Sequence, residues 1–276
     1  MDIKYLCPYW GQEPVKPVTF LNKVLQAGFD GVEVNLGTLQ HKKEWLQAFN
    51  NIKSAQPGFV VVAQMVLEDR YKTPSAFLSA MIKRLEILVR FKPDFINSHT
   101  GKDFFSFKDN CLLIEASNTF SRQNNIEIYH ETHRGRFSYA IHEIPKYLKK
   151  FPRLGLIADY SHWCNVSESM LQNQSALLKS VIPHIRHIHA RVGWEHGPQV
   201  ADPFTKNAEN YLQQFTRWWS DILRYHRKNG QQLFTICTEA GPPPYMPTDG
   251  LGRPLAYQWS INVQMLQYLK NRFQKM

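Results

Sequence analysis

The chain contains 276 residues, of which 43% are hydrophobic and 13% aromatic. This composition excludes a disordered chain and can fill the core of one large domain or of two small ones. The formal net charge is +10, which raises nucleic acid or another anionic ligand as a partner, but the basic residues are scattered over predicted helices, a pattern typical of solvated outer faces.

The apolar runs do not predict a membrane protein. The longest of them, such as 58–67, are interrupted within about 10 residues, whereas a spanning helix needs about 20. The first residues show no apolar core of a signal peptide, so we expect a cytoplasmic protein. The four cysteines show no CxxC spacing and are expected to be reduced core thiols: Cys7, Cys111, Cys164 and Cys237.

The first half of the chain alternates predicted strands and helices. The helix predicted over 19–27 ends at Gly28, and Thr73 followed by Pro74 predicts the start of a later helix. Another helix carries apolar residues at helical spacing over 45–52. The strands predicted in this half cover 3–10, 29–37 and 59–67, and a fourth begins at 94 and ends at His99.

The second half repeats the alternation. The segment 207–228 has the clearest helical periodicity, and Ser167 is predicted as the N-cap of another helix. Further helices are predicted over 106–123, 138–150 and 255–273. Strands are predicted in the segments 126–136, 155–163, 185–193 and 234–241.

Eight strands, each followed by a helix through mostly short connections, predict a parallel sheet that closes into a (β/α)8 TIM barrel. We expect a single domain over 1–276. A doubly wound open sheet is the alternative, but the turn after the first strand, CPYWGQEP, lacks the glycine-rich pattern of a nucleotide-binding fold.

The last four predicted strands end in polar residues that a strand does not need. Glu131, Asp159, His189 and Glu239 stand at these ends, where a barrel would bring them to one rim. Three carboxylates and an imidazole suit a divalent cation. His187 shares the strand face of His189, but His189 is closer to the strand end and is therefore the predicted ligand. A single such carboxylate is more often a helix cap, but four at corresponding ends indicate a shared site.

The segments HETHRGR, ADYSHW, HIHARVG and TEAG at these strand ends resemble the metal-site segments of the xylose isomerase-like barrel superfamily. DGVEV at 30–34 is also typical of that group, which includes sugar isomerases, ketose 3-epimerases, hydroxypyruvate isomerases, inosose dehydratases and an endonuclease IV branch. The resemblance implies that one divalent ion, Mn, Mg, Co or Zn, binds four ligands and that His162 contacts the substrate. The implied ligands are Glu131, Asp159, His189 and Glu239.

The resemblance implies a metal-dependent isomerase or epimerase that acts on a small sugar or sugar phosphate through a metal-stabilised enediolate, with a dehydratase as a further option. Glu131 and Glu239 would form the acid/base pair, and His162 or His133 would carry protons. The residues expected to contact substrate are His133, Arg191, His99, Trp10 and Trp163. A homodimer is compatible with this class of barrel, and neither a membrane nor nucleic acid is the expected partner.

Two departures from the family pattern limit the analogy. The ketose 3-epimerases carry a further glutamate and an arginine where this chain has Phe137 and Glu195. An endonuclease IV-like phosphodiesterase is the alternative function, because several of its zinc-ligand positions are matched, Asp202 among them. However, this chain has Gln64 and Phe204 where that branch has histidines. A non-catalytic sugar-binding barrel is the third option.

Overall fold

Eight parallel strands form a closed barrel. The structure, a computed structural model, describes residues 1–13, 15–38 and 41–274. The strands are β1 (Asp2–Pro8), β2 (Gly31–Val34), β3 (Val60–Met65), β4 (Phe95–Ser98), β5 (Ile128–Glu131), β6 (Leu156–Ala158), β7 (Ile185–His189) and β8 (Leu233–Cys237). Each pairs in parallel with its neighbours in sequence, and β8 pairs with β1. The predicted (β/α)8 barrel is confirmed.

Helices follow the strands along the chain. They are α1 (Pro17–Ala27), α2 (Lys42–Ala55), α3 (Pro74–Leu88), α4 (Phe107–Asn124), α5 (Ile144–Lys150), α6 (Tyr160–Val166), α7 (Ser175–Val181), α8 (Glu209–Lys228) and α9 (Gln258–Phe273). Gly28 ends α1 with a φ of 87°, and the side chain of Thr73 accepts a hydrogen bond from the backbone of Ala76 at the start of α3. Both predicted helix boundaries are confirmed. No helix among the described residues is long and apolar enough to span a bilayer.

The region after β6 differs from the prediction. The strand predicted in the segment 155–163 ends at Ala158, directly before Asp159, whose side chain accepts a hydrogen bond from Ser161 N and caps α6. Ser167 lies at the C-terminal end of α6 and does not start a helix, so the prediction that it is an N-cap is wrong.

The helix predicted over 138–150 is also shorter than expected. A 3-10 turn at Ile141–Glu143 precedes α5, which begins only at Ile144. Pro145 lies in the first turn of α5, where a proline is tolerated because its missing N–H would have no intrahelical partner.

The barrel interior changes from apolar to polar along the strands. The apolar part is a cluster of buried strand residues that is separate from the main hydrophobic core: Leu6, Val60, Val62, Phe95, Ile157 and Cys237. Because residues two apart share a strand face, the polar side chains next in line toward the carboxyl ends are Gln64, Asn97, Asp159 and Glu239. The fold therefore seals one end of the interior with apolar groups and directs polar groups into the other. All four cysteines are buried and free, as predicted.

Candidate metal centre

The four predicted ligands converge at the carboxyl ends of the last four strands. His189 Nδ1 lies 3.6 Å from Glu131 Oε2 and 3.9 Å from Glu239 Oε1. Glu131, Asp159 and His189 each offer one ligand atom, and these atoms lie within 4.8 Å of one another. All four side chains are buried. The arrangement places two carboxylates around Nδ1 of His189, and a third, that of Asp159, lies in one group with Glu131 and His189.

The ring of His189 is oriented by a carboxylate behind it. Its Nε2 donates to Glu33, with the two carboxylate oxygens at 3.1 and 3.2 Å. Its Nδ1 is buried and has no hydrogen-bond partner among the described residues. A histidine whose outer nitrogen is held by a carboxylate presents the lone pair of the other nitrogen, which is the usual arrangement of a metal-ligating histidine. The residues present therefore fit a divalent cation at Nδ1.

The electrostatic field at His189 favours a cation. Burial lowers the pKa of His189, but the carboxylates of Glu239, Glu33 and Glu131 raise it more, so that it lies well above its ordinary value. A proton and a metal ion compete for the same nitrogen. The negative field that raises this pKa would equally attract a divalent ion.

Glu33, the acidic residue of the segment DGVEV, is not among the ligands predicted from the sequence, but it lies at the centre of the polar network. Its carboxylate accepts hydrogen bonds from Asn97 Nδ2 at 2.8 Å, Gln64 Nε2 at 3.1 Å and His187 Nε2 at 3.2 Å. Burial raises its pKa, but His189 and His187 lower it below its ordinary value, so Glu33 is ionised. The signal for it was an acidic residue in the otherwise apolar strand GVEV.

Glu131 is an ionised carboxylate in the same network. Its Oε2 accepts hydrogen bonds from Asn97 Nδ2 at 2.7 Å and from His99 Nε2 at 2.8 Å. Burial raises the pKa of Glu131, but His99 and His189 hold it well below its ordinary value. The side chain can therefore serve as a ligand or as a proton acceptor near neutral pH.

Glu239 has an unusual backbone conformation. Its φ of 54° lies in the left-handed region, which costs a residue other than glycine about 1–3 kcal/mol and is often found at functional sites. The backbone of the next residue, Ala240, is held by amide side chains of α9. Ala240 N donates to Asn262 Oδ1 at 2.9 Å, and Ala240 O accepts from Asn262 Nδ2 at 3.0 Å and from Gln258 Nε2 at 2.7 Å.

The pKa of Glu239 shifts in the opposite direction to that of Glu131. Burial raises it to about 7, because the effect of burial outweighs the lowering by His189 and Arg191, which Glu33 and Glu131 offset in part. Two carboxylates whose pKa values are moved apart by their surroundings are typical of an acid/base pair.

Asp159 joins the cluster with both oxygens engaged. Arg191 Nη2 donates to Oδ2, and Ser161 N donates to Oδ1 at 3.1 Å. The backbone N–H of Asp159 donates to Thr132 Oγ1 at 2.9 Å. Asp159 is thus fixed from three sides, and a cation bound there would share its carboxylate with Arg191.

A cavity of about 290 Å³ opens over these groups, a volume that suits a small ligand. Glu131, Glu239 and four of the predicted substrate-contacting residues line it, namely His99, His133, Arg191 and Trp10. Lining residues that the sequence reasoning did not assign to the site are Glu13, Asn35, Thr38, Gln64, Val66, Arg136 and Tyr245.

Trp163 lies behind the site, which corrects the expectation that it contacts substrate. Its indole is 1% exposed, Nε1 donates to Ser138 O at 2.8 Å, and the ring stacks on Tyr160 with centroids 5.0 Å apart. The residue packs the region around α6 and does not line the cavity.

His133 and His162 form a stacked pair beside the cavity, with ring centroids 3.9 Å apart. The hydroxyl of Tyr245 donates to His133 Nε2 at 3.3 Å, and Arg191 Nη2 donates to His162 Nε2 at 3.1 Å. Burial lowers the pKa of both imidazoles well below the ordinary value. Both rings are therefore neutral. His133 lines the cavity, while His162 is fully buried behind it.

Comparison with known proteins adds to this geometry. No protein-family model and no curated protein matches the sequence. Among solved structures, a D-psicose 3-epimerase in the presence of D-fructose aligns with a TM-score of 0.65 and 14% identity, over 97% of this chain and 98% of the other. Endonuclease IV from Thermus thermophilus aligns with a TM-score of 0.63 and 11% identity, over 99% of this chain and 100% of the other.

A xylose isomerase-like TIM barrel protein from Mycobacterium smegmatis in complex with magnesium is also similar, with a TM-score of 0.59 and 14% identity over 98% of this chain and 97% of that one. Likeness at this level of identity establishes the fold. The chain shares the closed (β/α)8 fold of these proteins, which is the fold that the resemblance of the strand-end segments implies.

Proposed function

We propose that this protein is a divalent-metal-dependent isomerase or epimerase of a small sugar or sugar phosphate. The observation that carries the proposal is the pair Glu131 and Glu239, whose oxygens lie 3.6 and 3.9 Å from the same nitrogen of His189. The two carboxylates differ in proton affinity and both line the cavity.

Glu131, Asp159, His189 and Glu239 would hold the ion. Three oxygens and one nitrogen suit manganese, magnesium or cobalt, and zinc would also bind. When bound, such an ion polarises a substrate carbonyl and stabilises negative charge on its oxygen.

The protein groups would move the protons. The ionised Glu131 is placed to remove a proton from the carbon next to a carbonyl, which gives an enediolate. Glu239, with its pKa raised to about 7, can return a proton. The neutral ring of His133, which lines the cavity, can carry protons between substrate oxygens, while His162 packs against that ring from behind. Arg191 can hold a hydroxyl or an anionic group.

The test is solvent exchange. Metal-loaded protein is incubated in D₂O with D-fructose, D-psicose, D-tagatose and their phosphates, and deuterium uptake next to the carbonyl is followed by NMR. Glu131→Gln and Glu239→Gln, each at saturating Mn²⁺, should lower the exchange rate about a hundredfold to ten-thousandfold, because each removes a proton-transferring carboxylate.

Glu127→Gln is the matched control, since Glu127 precedes β5 but is exposed. It should leave exchange unchanged. Exchange that persists in both cavity variants would contradict the acid/base assignment. Binding of ketoses without any exchange would instead support a sugar-binding barrel.

A metal-dependent phosphodiesterase is the second candidate, favoured by the likeness to endonuclease IV and by the net charge of +10. The geometry supports it less. Asp202 Oδ1 accepts a hydrogen bond from Phe204 N at 2.8 Å within its own turn, the ring of Phe204 packs against Tyr268, and Gln64 is bound to Glu33. Two or three zinc ions per chain together with cleavage of abasic DNA would favour this candidate over the isomerase.

A further inference from the structure

Arg136 is a buried cation without a paired anion. Its side chain lines the cavity and is 7% exposed. Nε and Nη1 have no hydrogen-bond partner, and the guanidinium forms no ion pair, among residues 1–13, 15–38 and 41–274. A buried charge that is neither paired nor hydrogen-bonded is unfavourable. Its retention beside a cavity indicates that a ligand supplies the missing acceptor.

The two acidic residues that act most strongly on Arg136, Asp69 and Glu131, are bound to other groups. Asp69 forms an ion pair with Lys102, whose Nζ lies 2.6 Å from Oδ1, and the Asp69 side chain is 91% exposed. Glu131 accepts hydrogen bonds from His99 and Asn97. Neither carboxylate pairs with Arg136, so the guanidinium retains its capacity to donate to an incoming acceptor.

A second guanidinium faces the same cavity. Arg191 donates to Asp159 through Nη2, while its Nη1 has no partner among the described residues. Its guanidinium lies over the ring of Tyr245, 4.7 Å from the centroid. The cavity thus combines a group of carboxylates suited to a cation with two arginines suited to an anion.

We propose that Arg136 binds an oxyanion of the substrate, a phosphate or a carboxylate, and so selects an anionic sugar over a neutral one. The planar guanidinium fork donates two parallel hydrogen bonds to either group. This inference rests on the proposed function and narrows its substrate class. The long loop that begins after β5 supplies the specificity residue, and the strand end itself supplies the ligand Glu131.

The experiment measures three probes that differ only at one carbon: D-fructose, D-fructose 6-phosphate and D-fructuronate. Their dissociation constants for the Mn²⁺-loaded full chain are determined by calorimetry. At least one anion should bind about tenfold more tightly than D-fructose, or better, because hydrogen bonds between charged groups exceed neutral ones in strength. Preference for one anion identifies phosphate or carboxylate as the recognised group.

In Arg136→Gln the anion should bind no more than about twofold more tightly than D-fructose. The dissociation constant for D-fructose and the Mn²⁺ content should stay unchanged. Arg136→Lys, which keeps the charge but loses the fork, should retain part of the preference. Arg134→Gln is the control for net charge, because Arg134 is two residues away, does not line the cavity and donates to Asn165 Oδ1 at 2.9 Å. It should retain the full preference.

The inference is overturned if neither anion binds more tightly than D-fructose, undetectable binding included. It is also overturned if Arg136→Gln keeps the preference, or if Arg134→Gln loses it equally. If D-fructose exchanges deuterium with solvent and neither anion binds more tightly than D-fructose, this inference is overturned and the proposed function stands. Absence of bound Mn²⁺ and of exchange with all three probes overturns the proposed function itself.

Discussion

The tautomer of His189 is set by one hydrogen bond at the back of the ring. Glu33 is ionised and accepts from Nε2, so the proton of a neutral imidazole stays on Nε2 and the lone pair stays on Nδ1, facing Glu131 and Glu239. A carboxylate behind a ligating histidine also increases the basicity of the ring. Glu33 should therefore determine metal affinity without touching the ion.

We expect Glu33→Gln to weaken Mn²⁺ binding about tenfold to a hundredfold, the range found for groups that orient a metal ligand. Calorimetric titration with Mn²⁺ measures the effect, and circular dichroism checks that the variant is folded. Glu127→Gln serves again as the exposed control. An unchanged affinity in Glu33→Gln would show that His189 does not need this carboxylate.

Individual site residues can be predicted from the sequence where a polar residue ends an apolar strand. Glu131, Asp159, His189 and Glu239 were predicted because each ends an apolar strand in a polar group, and strand ends meet at one rim. Glu33 was not assigned to the site, because a residue inside a strand points either into the barrel or outward, and a four-residue strand does not show which. Arg136 and Tyr245 lie on loops whose paths only the structure gives.

At the scale of elements, the order of strands and helices followed from periodicity, whereas boundaries failed where a side chain capped the backbone. The helix after β6 is predicted to start at Ser167, but Asp159 accepts a hydrogen bond from Ser161 N and starts α6 eight residues earlier. This is a local competition between two hydrogen-bonded structures that apolar periodicity does not register. The same aspartate then serves both as a helix cap and as a member of the candidate metal centre.

The helix α9 supports the site from outside the barrel. Asn262 is buried, does not line the cavity, and makes two hydrogen bonds to the backbone of Ala240, the residue after Glu239. We expect Asn262→Ala to lower the free energy of unfolding by about 1–3 kcal/mol, because a buried donor and acceptor lose a partner. The exchange rate should fall about tenfold, since Glu239 would no longer be held in its left-handed conformation.

Asn271→Ala is the control for that variant, because Asn271 lies on the same helix and is exposed. It should change neither quantity by a measurable amount. Urea unfolding and the deuterium exchange assay supply the two readings. A loss of stability in Asn262→Ala with full exchange activity would show that α9 supports the fold without positioning Glu239.

At the scale of the whole molecule, closure of the barrel creates the site. The four proposed ligands are spread over 131–239 in the sequence, and the pairing of neighbouring strands, closed by β8 and β1, brings them to one rim. Closure was predictable from the repeated alternation of strands and helices. The depth of the cavity and the arginines in its wall were not, because they depend on how long loops fold over the rim.

The central claim is that Glu131, Asp159, His189 and Glu239 hold a single divalent ion, and the number of Mn²⁺ ions bound per chain tests it most directly. We predict one ion per chain for the unaltered protein, and none for His189→Gln at the same free Mn²⁺ concentration, with both proteins folded by circular dichroism. No bound ion in the unaltered protein, or the same one ion in His189→Gln, would contradict the claim.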